Sequence, residues 1–539
     1  MAINKVADRD FRKTAHANYM GGLSYDITNP VDRLRMAAAS CFFGEPQYYR
    51  TDKKPAAPRD LLRYSPHTAS QLEKLIGASL TRISPSSWTG LGPTALMEKA
   101  IDEALDFDPE ATLILASLLR NEDNIRTTPQ VIMVRAANHP KVRGSGLISK
   151  YADQIIRRPD ELATQLAYQL SYKGAKAPIP NSLKRAWRAK FEVFTPYQLA
   201  KYRMESREVK LVDVANLVHP KSDAVNDLVR GNLKTTDQTW EAIRSSGGTW
   251  TEALDVMGHM ALLRNLRNLL QAGVPEDEFC RRLVDGAATG KQLPFRYYSA
   301  YKAVESLGKP KTMDAIESAL EVSLVNLPRF PGRTISLCDN SGSAWGATTS
   351  SMGTMAVAEI ANLSGVLTGK VSDDGYVGVF GDRLDIQPVR KRSSVFDQLK
   401  DLEKRGKGIG QSTENGIWLF WDKAIKEKQH WDHVFVYSDM QAGHGGLYGI
   451  DPAQYSAYKW GGSRNIDVPK LISEYRRQVN PNVKVFLVQV AGYQDTIVPE
   501  FYKDTYILGG WSDGVLRFAA KMSGLTQPEL NDNLEASQQ

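Results

Sequence analysis

Cysteine is scarce in this sequence: Cys41, Cys280 and Cys338 are the only three, and they lie far apart along 539 residues. An odd number of widely spaced cysteines excludes a disulfide framework and provides no paired metal-binding knuckle. No run approaches the roughly 18 apolar residues that a membrane-spanning helix needs. The first residues, MAINKVADRDFRKTAH, lack the apolar core of a secretory signal. We therefore expect a protein of the reducing cytoplasm with no membrane partner.

The charge is distributed unevenly along the chain. Residues 1–333 contain 47 Lys and Arg against 37 Asp and Glu, a net charge of +10, and residues 334–539 contain 21 against 24, a net charge of −3, which together give +7. A chain of this length is too long for one hydrophobic core, so we expect two or three domains. The basic first part favours a polyanionic partner, most simply a nucleic acid, although a solvated basic surface would give the same count.

The first part has the apolar spacing of amphipathic helices, separated by short segments rich in Pro, Gly, Asn or Asp. Many such helices with short connections are most economically packed as stacked pairs, so the pattern predicts an all-α, HEAT-like solenoid over residues 1–330. The predicted helices are 111–121, 130–139, 161–172, 182–194, 253–274 and 312–327.

The sequence pattern changes after the segment PRFPGR, at residues 328–333. Short β-rich runs then alternate with helical stretches, which is typical of βαβ units with a mostly parallel sheet. The sequence therefore predicts an α/β doubly wound domain over residues 334–525, followed by a polar tail over 526–539. The predicted strands are 333–339, 376–381, 433–439 and 483–492.

Polar residues follow the strands of this second domain where ligands bind in such sheets. The first strand ends in LCDNSGS, with Asp339, Ser341 and Ser343, and the run HVFVYSD ends in Asp439. Thr413 lies in a Gly-rich loop just before a predicted helix and can reach the same edge of the sheet. This edge, at the carboxyl ends of the parallel strands, is where ligands bind in such domains. Hydroxyls with few acids suit Mg²⁺, or Mn²⁺, with an open coordination position.

The D-x-S-x-S sequence with a distant Thr and Asp resembles the metal-ion-dependent adhesion site of von Willebrand factor A domains. The resemblance implies that Asp339, Ser341, Ser343, Thr413 and Asp439 bind the metal. Ser412 is adjacent to Thr413 and is an alternative loop ligand. A further alternative is that Asp339 or Ser341 simply caps the next helix and binds no metal.

Four segments of the first part, in order, resemble the TROVE module of the Ro family. They are RLRMAAASCFFGEPQYYRTD (33–52), LAKYRMESREVKLVDVANLVHPK (199–221), MALLRNLRNLL (260–270) and LPFRYYSAYKAVE (293–305). This family combines a TROVE module with a von Willebrand factor A domain. The resemblance to Ro proteins also implies that the helical repeats close into a ring.

The Ro resemblance also implies a function. Ro proteins bind small noncoding Y RNAs on the outer helical surface and hold single-stranded 3′ ends of misfolded RNAs in the ring cavity. In bacterial relatives a Y RNA tethers a 3′-to-5′ exoribonuclease, and the family serves RNA quality control and stress survival. No catalytic activity is implied, and we expect a monomer.

Six basic residues are candidates for RNA contact. Lys201, Arg203 and His219 match positions that the family uses for Y RNA, and Lys184, Arg185 and Arg188 lie on the helix before them. Phosphate neutralisation by such side chains supplies much of the affinity in protein–RNA complexes. We expect Trp187, on the amphipathic helix 182–194, to pack in the core.

Two other functions fit parts of the sequence. A protein–protein adaptor would use the metal ion to bind an acidic side chain of its partner. A metal-dependent nuclease would need a general base or a second metal near Asp339. His433 lies at the start of a strand, and His444 lies in the loop QAGHGG, so neither gives clear support for a nuclease.

Overall fold

The computed structural model describes most of the chain. The described residues are 15–17, 23–25, 29–40, 93–123, 125–174, 176–203, 207–233, 239–292, 294–346, 355–411, 415–438, 468–490, 504–508 and 514–525. Thr413, Ser412, Asp439 and His444 lie outside these residues, as do Cys41 and the tail at 526–539.

The described residues of the first part of the chain are almost entirely helical, as predicted. A short hairpin, β1 (Ala15–Ala17) with β2 (Leu23–Tyr25), precedes the helices. The helices are α1 (Pro30–Ser40), α2 (Pro93–Phe107), α3 (Pro109–Asn121), α4 (Thr127–Asn138), α5 (Leu147–Ile155), α6 (Pro159–Lys173), α7 (Asn181–Val193), α8 (Pro196–Lys201), α9 (Leu211–Val218), α10 (Asp223–Val229), α11 (Trp240–Ser245), α12 (Trp250–Val256), α13 (His259–Gln271), α14 (Glu276–Asp285), α15 (Ala287–Gly290), α16 (Pro294–Glu305) and α17 (Pro310–Ser323).

Local sequence signals explain where these helices begin. Asp108 precedes α3 and accepts a hydrogen bond from the Ala111 amide at 2.9 Å, with Pro109 at the first helical position. This arrangement satisfies a free amide of the first turn, and proline loses nothing there. The prediction of one helix over 253–274 is wrong. Met257 and Gly258 have extended backbones, and they separate α12 from α13.

The described residues of the second part form a six-stranded sheet with helices. Its elements are β3 (Phe330–Asp339), α18 (Gly342–Gly346), α19 (Val357–Lys370), β4 (Ser372–Phe380), β5 (Leu384–Pro388), α20 (Val395–Lys407), α21 (Gly416–Lys426), β6 (His433–Ser438), α22 (Val468–Gln478), β7 (Lys484–Gln489), β8 (Thr505–Leu508) and α23 (Gly514–Met522). The strand order is β5–β4–β3–β6–β7–β8, and only β5 is antiparallel to its neighbour. This mixed α/β architecture was predicted from the sequence, although β5 and β8 were not.

Among the residues that the structure describes, the buried apolar side chains form three clusters. One lies within the helices between Leu34 and Leu233. A second joins the later helices, from Leu254 to Leu327, to one face of the sheet and to α19, α20 and α23. A third covers the other face of the sheet and includes Trp418, Trp421 and Trp431. The later helices therefore share a core with the α/β part. Within the described residues, the longest apolar helices fall short of what is needed to cross a membrane.

Candidate nucleic-acid interface and metal-binding rim

His219 occupies an unusual backbone position at the end of α9. Its φ of 46° and ψ of 63° place it in the left-handed region, and its side chain is exposed. Helices often end in this conformation, but the residue is then usually glycine or asparagine, because a Cβ atom is strained there. A strained, exposed histidine is the kind of outlier that points to a functional role.

The neighbouring helix α7 fixes this turn. Arg188 donates a hydrogen bond from Nε to the carbonyl oxygen of Val218 at 2.7 Å, directly before His219. The guanidinium thereby satisfies one of the free carbonyls at the C-terminus of α9, where a positive charge is favoured. Lys184 lies one turn earlier on α7 and is half-buried, while Arg185 is exposed. The structure therefore brings Arg188 and His219, two of the six candidate residues for RNA contact, next to each other.

Trp187 lies on the opposite side of α7. It is fully buried, and its indole nitrogen donates to Oε1 of Gln165 at 2.6 Å. The expectation that this tryptophan packs in the core is confirmed, so it is not exposed for stacking on a base.

Lys201 lies at the end of α8 beside two tyrosines. Its Nζ is 5.5 Å from the ring centre of Tyr197 and 5.8 Å from that of Tyr202, and the lysine is exposed. Arg158 lies over the Tyr202 ring at 4.3 Å. Aromatic rings beside cations can stack bases while the charges meet phosphates. Arg158 comes from the turn before α6, some forty residues upstream, so local sequence reasoning had no signal for it.

Arg203 is placed differently from the other candidates. It is half-buried, and its Nη2 donates to the carbonyl oxygen of Leu233 at 2.6 Å. The guanidinium therefore ties the chain after α8 to the turn after α10. In this arrangement the Arg203 guanidinium holds the backbone near Lys201 in place, and Lys201 is the more exposed of the two side chains.

Asp339 lies at the carboxyl end of β3, where the strand order reverses between β3 and β6. It is fully buried, and Oδ2 accepts a hydrogen bond from the hydroxyl of Ser438 at 2.6 Å. Oδ1 accepts from the Ser341 amide at 2.9 Å, and the Ser341 and Ser343 hydroxyl oxygens are 3.1 Å apart. Three of the five predicted metal ligands are thus adjacent at the crevice where such sheets bind ligands.

The loop after Asp339 is held from two sides. Asn340 and Asn362 are buried and exchange hydrogen bonds between their amide groups at 2.9 and 3.1 Å. The Gly342 amide donates to the Gln411 carbonyl at 2.9 Å, and a Cβ atom at Gly342 would lie 2.9 Å from that oxygen. Glycine is therefore required for this close approach, which joins the Asp339 loop to the Gly-rich loop before Thr413.

The donors at this rim fit a hard cation. Carboxylate and hydroxyl oxygens are the ligands that Mg²⁺ prefers, and too few acids are present to saturate it. In the described residues there is no cluster of three or more His, Cys, Asp or Glu side chains that could hold a metal. The proposed ligands Ser341 and Ser343 are not among these residue types, so the Asp339 site would not count as such a cluster even if it binds a metal. Ser438, which sequence reasoning missed, positions the Asp339 carboxylate.

Comparison with known proteins identifies the helical part. Residues 91–243 match the model of the TROVE domain family. This segment of the chain is similar to the TROVE domain family. This match confirms the resemblance drawn from the sequence, and the matched range includes all six candidate RNA-contact residues. Among curated proteins, no sequence matches the chain.

The chain also has a fold similar to that of a solved structure, the Ro (RSR) protein of Deinococcus radiodurans. The two are 15% identical, with a TM-score of 0.57, and the likeness covers 78% of this chain and 93% of the Deinococcus protein. At this identity the match shows the shared fold, with a helical part followed by a mixed α/β part.

Proposed function

We propose that this TROVE protein is an RNA-binding protein of the Ro type that binds small noncoding Y RNA on its helical surface. The observation that carries the proposal is His219, which is exposed in a strained turn that Arg188 holds in place within the TROVE match. Lys184, Arg185 and Lys201 add positive charge to the same part of the chain. Such a surface suits a folded RNA, whose backbone meets the cations while loop bases meet the tyrosines.

The test compares two RNAs with one variant. His219→Ser is expected to weaken binding of a structured small RNA, a hairpin with an internal loop, more than binding of an unstructured single strand. Filter binding of the purified full chain measures both. An equal loss for the two RNAs contradicts the proposed role of His219. Arg143→Ser is the matched control, because Arg143 is another exposed basic residue of the TROVE match.

The ring and its cavity are a further part of the proposal. Helix α23, near the C-terminus of the described chain, lies against α1, and Lys521 pairs with Asp32 at 3.1 Å. A solenoid whose two ends meet through one helix would enclose a hole for single-stranded 3′ ends of misfolded RNA. A Y RNA held outside would then be free to tether a 3′-to-5′ exoribonuclease for RNA quality control.

The rim at Asp339 is proposed to be a von Willebrand factor A metal site that binds Mg²⁺ or Mn²⁺. Asp339, Ser341 and Ser343 would hold the ion, together with Thr413 or Ser412 and with Asp439. Isothermal titration of the full chain with Mg²⁺ is expected to show one site, which Asp339→Ala abolishes. Asp385→Ala is the control because that aspartate lies on edge strand β5. Absence of Mg²⁺ binding to the unmodified chain contradicts the proposal.

A binding protein accounts for the site better than a nuclease does. His433 is buried at the start of β6, and burial lowers its pKa to about 4. The residue paired with it across the strands is Thr334, which lies in the middle of β3, whereas Asp339 is the last residue of that strand. RNA incubated with the protein and Mg²⁺ is therefore expected to stay intact, and shortening that depends on the divalent ion would favour the nuclease.

A further inference from the structure

The turn at residues 390–394 projects from the α/β part at the end opposite the Asp339 rim. It follows β5, and its Lys391 donates a hydrogen bond to the carbonyl oxygen of Ser372, the first residue of β4. Asp339, in contrast, pairs with Phe380 at the last residue of β4. The turn is therefore separated from the proposed metal site by the length of the strands, and it belongs to neither of the sites described above.

Two side chains make this turn rigid. Gln398 is buried, accepts from the Arg390 amide at 2.9 Å, and donates to the Arg390 carbonyl at 3.1 Å. The Nζ of Lys391 points toward the C-terminus of α19, where it donates to the carbonyl oxygens of Gly369 and Lys370, each at 2.8 Å. Lys391 is thus used to fix the turn, and the flanking Arg390 and Arg392 are exposed on a fixed backbone.

A third guanidinium approaches the same turn from the segment that links the helical and α/β parts. Arg329 is exposed and directly precedes Phe330, which pairs with Ser372 at the start of β4. The Lys391 ammonium donates to the carbonyl oxygen of the same Ser372, so the segment that carries Arg329 lies beside the turn. We call Arg329, Arg390 and Arg392 the arginine patch. Its three members come from two separate segments of the chain that the fold brings together.

The charge of the arginine patch is not compensated by ion pairs within the part of the chain that the structure describes. The acids around it have other partners. Asp374 pairs with Arg333, and Asp373 accepts from the Gly332 amide. Glu321 pairs with Lys370, whose side chain is 4% exposed.

Several other basic residues in the described α/β part form ion pairs, among them Arg405 with Asp385 and Asp401 and Lys484 with Asp504. Residues 334–539 carry a net charge of −3, from 21 basic and 24 acidic residues, so a local cluster of unpaired guanidiniums is unusual there. Like charges held together on a rigid turn repel one another unless a polyanion covers them. Arginine also matches phosphate geometry better than lysine does.

We infer that the arginine patch is a second RNA-binding surface, which contacts the phosphate backbone of RNA on the α/β part. The inference rests on the proposed RNA-binding function and extends it to a surface outside the TROVE match. The patch supplies affinity by releasing counterions and does not read sequence. An RNA bound at the His219 surface would then be held at two places, one on each part of the molecule.

The test uses the full chain and a fluorescently labelled RNA hairpin with a long single-stranded 3′ tail. Arg390→Gln with Arg392→Gln removes two charges, and Lys423→Gln with Lys426→Gln removes two from α21 on the other face of the sheet. If the patch contacts two phosphates, the first variant should bind on the order of tenfold more weakly or worse, and the slope of log K against log salt should fall by about 1.4. The control variant should bind like the unmodified chain.

The outcomes are distinguishable. Unchanged affinity and slope in the patch variant, with normal binding by the unmodified chain, overturns the inference but leaves the proposed function standing. Equal losses in the patch and control variants show a general charge effect and overturn it as well. Failure of the unmodified chain to bind RNA overturns both proposals. A photoreactive residue at position 392 should crosslink to RNA in cells, and crosslinking to an acidic protein alone would contradict an RNA surface.

Discussion

The backbone of His219 carries a cost that a different residue would avoid. Glycine accepts a φ of 46° without strain, whereas a residue with a Cβ atom in an unfavourable conformation costs about 1 kcal/mol or more. We therefore predict that His219→Gly leaves the folded protein equally stable or raises its unfolding free energy by up to about 1 kcal/mol. The same change should weaken binding of the structured RNA, because the imidazole is lost.

Chemical denaturation and filter binding measure these two effects on the same sample. His139→Gly is a useful comparison, because His139 follows α4 with an extended backbone, so glycine relieves no strain there. A fall in stability with His219→Gly would show that the histidine contributes to folding instead of to binding.

His433 gives the protein a pH dependence. Burial lowers its pKa to about 4, whereas the pKa of a free histidine is about 6.5. Between those values the unfolded chain binds a proton that the folded chain does not. Above pH 6.5 this difference does not affect the free energy of unfolding. As the pH falls from 6.5 toward 4, the free energy of unfolding decreases, by about 3 kcal/mol in total.

We predict that the thermal midpoint of His433→Gln falls less steeply than that of the unmodified protein between pH 6.5 and 4.5. Differential scanning calorimetry in matched buffers gives both curves. Acidic groups titrate in the same range, but they are common to both proteins. Parallel curves would exclude His433 as a source of the pH dependence.

Helices α3 and α6 are joined by a buried ion pair. Arg120 and Glu161 are 12% and 4% exposed in their side chains, and their charged atoms are 2.8 Å apart. Glu161 also accepts from the Arg157 and Arg158 amides at 2.6 and 3.0 Å at the start of α6. The carboxylate therefore serves both as a helix cap and as a partner for the neighbouring helix.

Removing one partner leaves a desolvated charge. Arg120→Ala is predicted to lower the unfolding free energy by about 3 kcal/mol and to raise the pKa of Glu161 further. Replacing both, as Arg120→Met with Glu161→Gln, should recover much of the loss. Lys407→Ala, which removes an exposed partner of Glu403, should cost well under about 1 kcal/mol. A loss for Arg120→Ala as small as that for Lys407→Ala would contradict this account.

At the scale of helices and strands, apolar periodicity in the sequence predicted the elements whose bounds are set by interactions within a few residues. Helices such as α3, α6 and α7 appear close to their predicted bounds because their apolar spacing and caps are encoded within a few residues. The break between α12 and α13 was missed, since Met257 is compatible with a continuous helix although its backbone is extended in the structure. Edge strand β5 was missed because it is short and only half-buried.

The same limit applies to the candidate sites. Asp339 was placed at a strand end by the β-rich run before it, and its fully buried carboxylate follows from that position. Arg158, Ser438 and the arginine patch depend on contacts between distant segments. Neither spacing nor composition brings Arg158 over Tyr202, or Arg329 beside Lys391. Such residues become visible only once the fold is known.

At the scale of the whole molecule, helix α23 connects segments that are far apart in sequence. Arg517 pairs with Asp123 at 3.1 Å, with side chains 10% and 9% exposed, and donates to the Asn326 carbonyl at 2.9 Å. Lys521 reaches Asp32 on α1. The α/β part therefore holds the beginning and the end of the helical part together.

We predict that Asp123→Ala weakens the packing of α23 against the rest of the protein. The substitution removes the carboxylate that neutralises the mostly buried Arg517 guanidinium. Limited trypsin digestion should cut after Arg517 and Lys521 faster than in the unmodified protein. Asp32→Ala is the control, since its partner Lys521 is 45% exposed and the pair contributes little. Identical digestion of all three proteins would show that the Asp123 contact does not hold the helix.

Binding of RNA to the purified full chain, measured across a range of salt concentrations, tests the central claim most directly. Raising the salt from about 50 to about 200 mM should weaken binding on the order of 10³-fold if six or more phosphates are contacted. The account predicts tight binding at low salt and a steep linear fall of log K with log salt. Absence of binding at low salt, or an affinity that does not respond to salt, would contradict it.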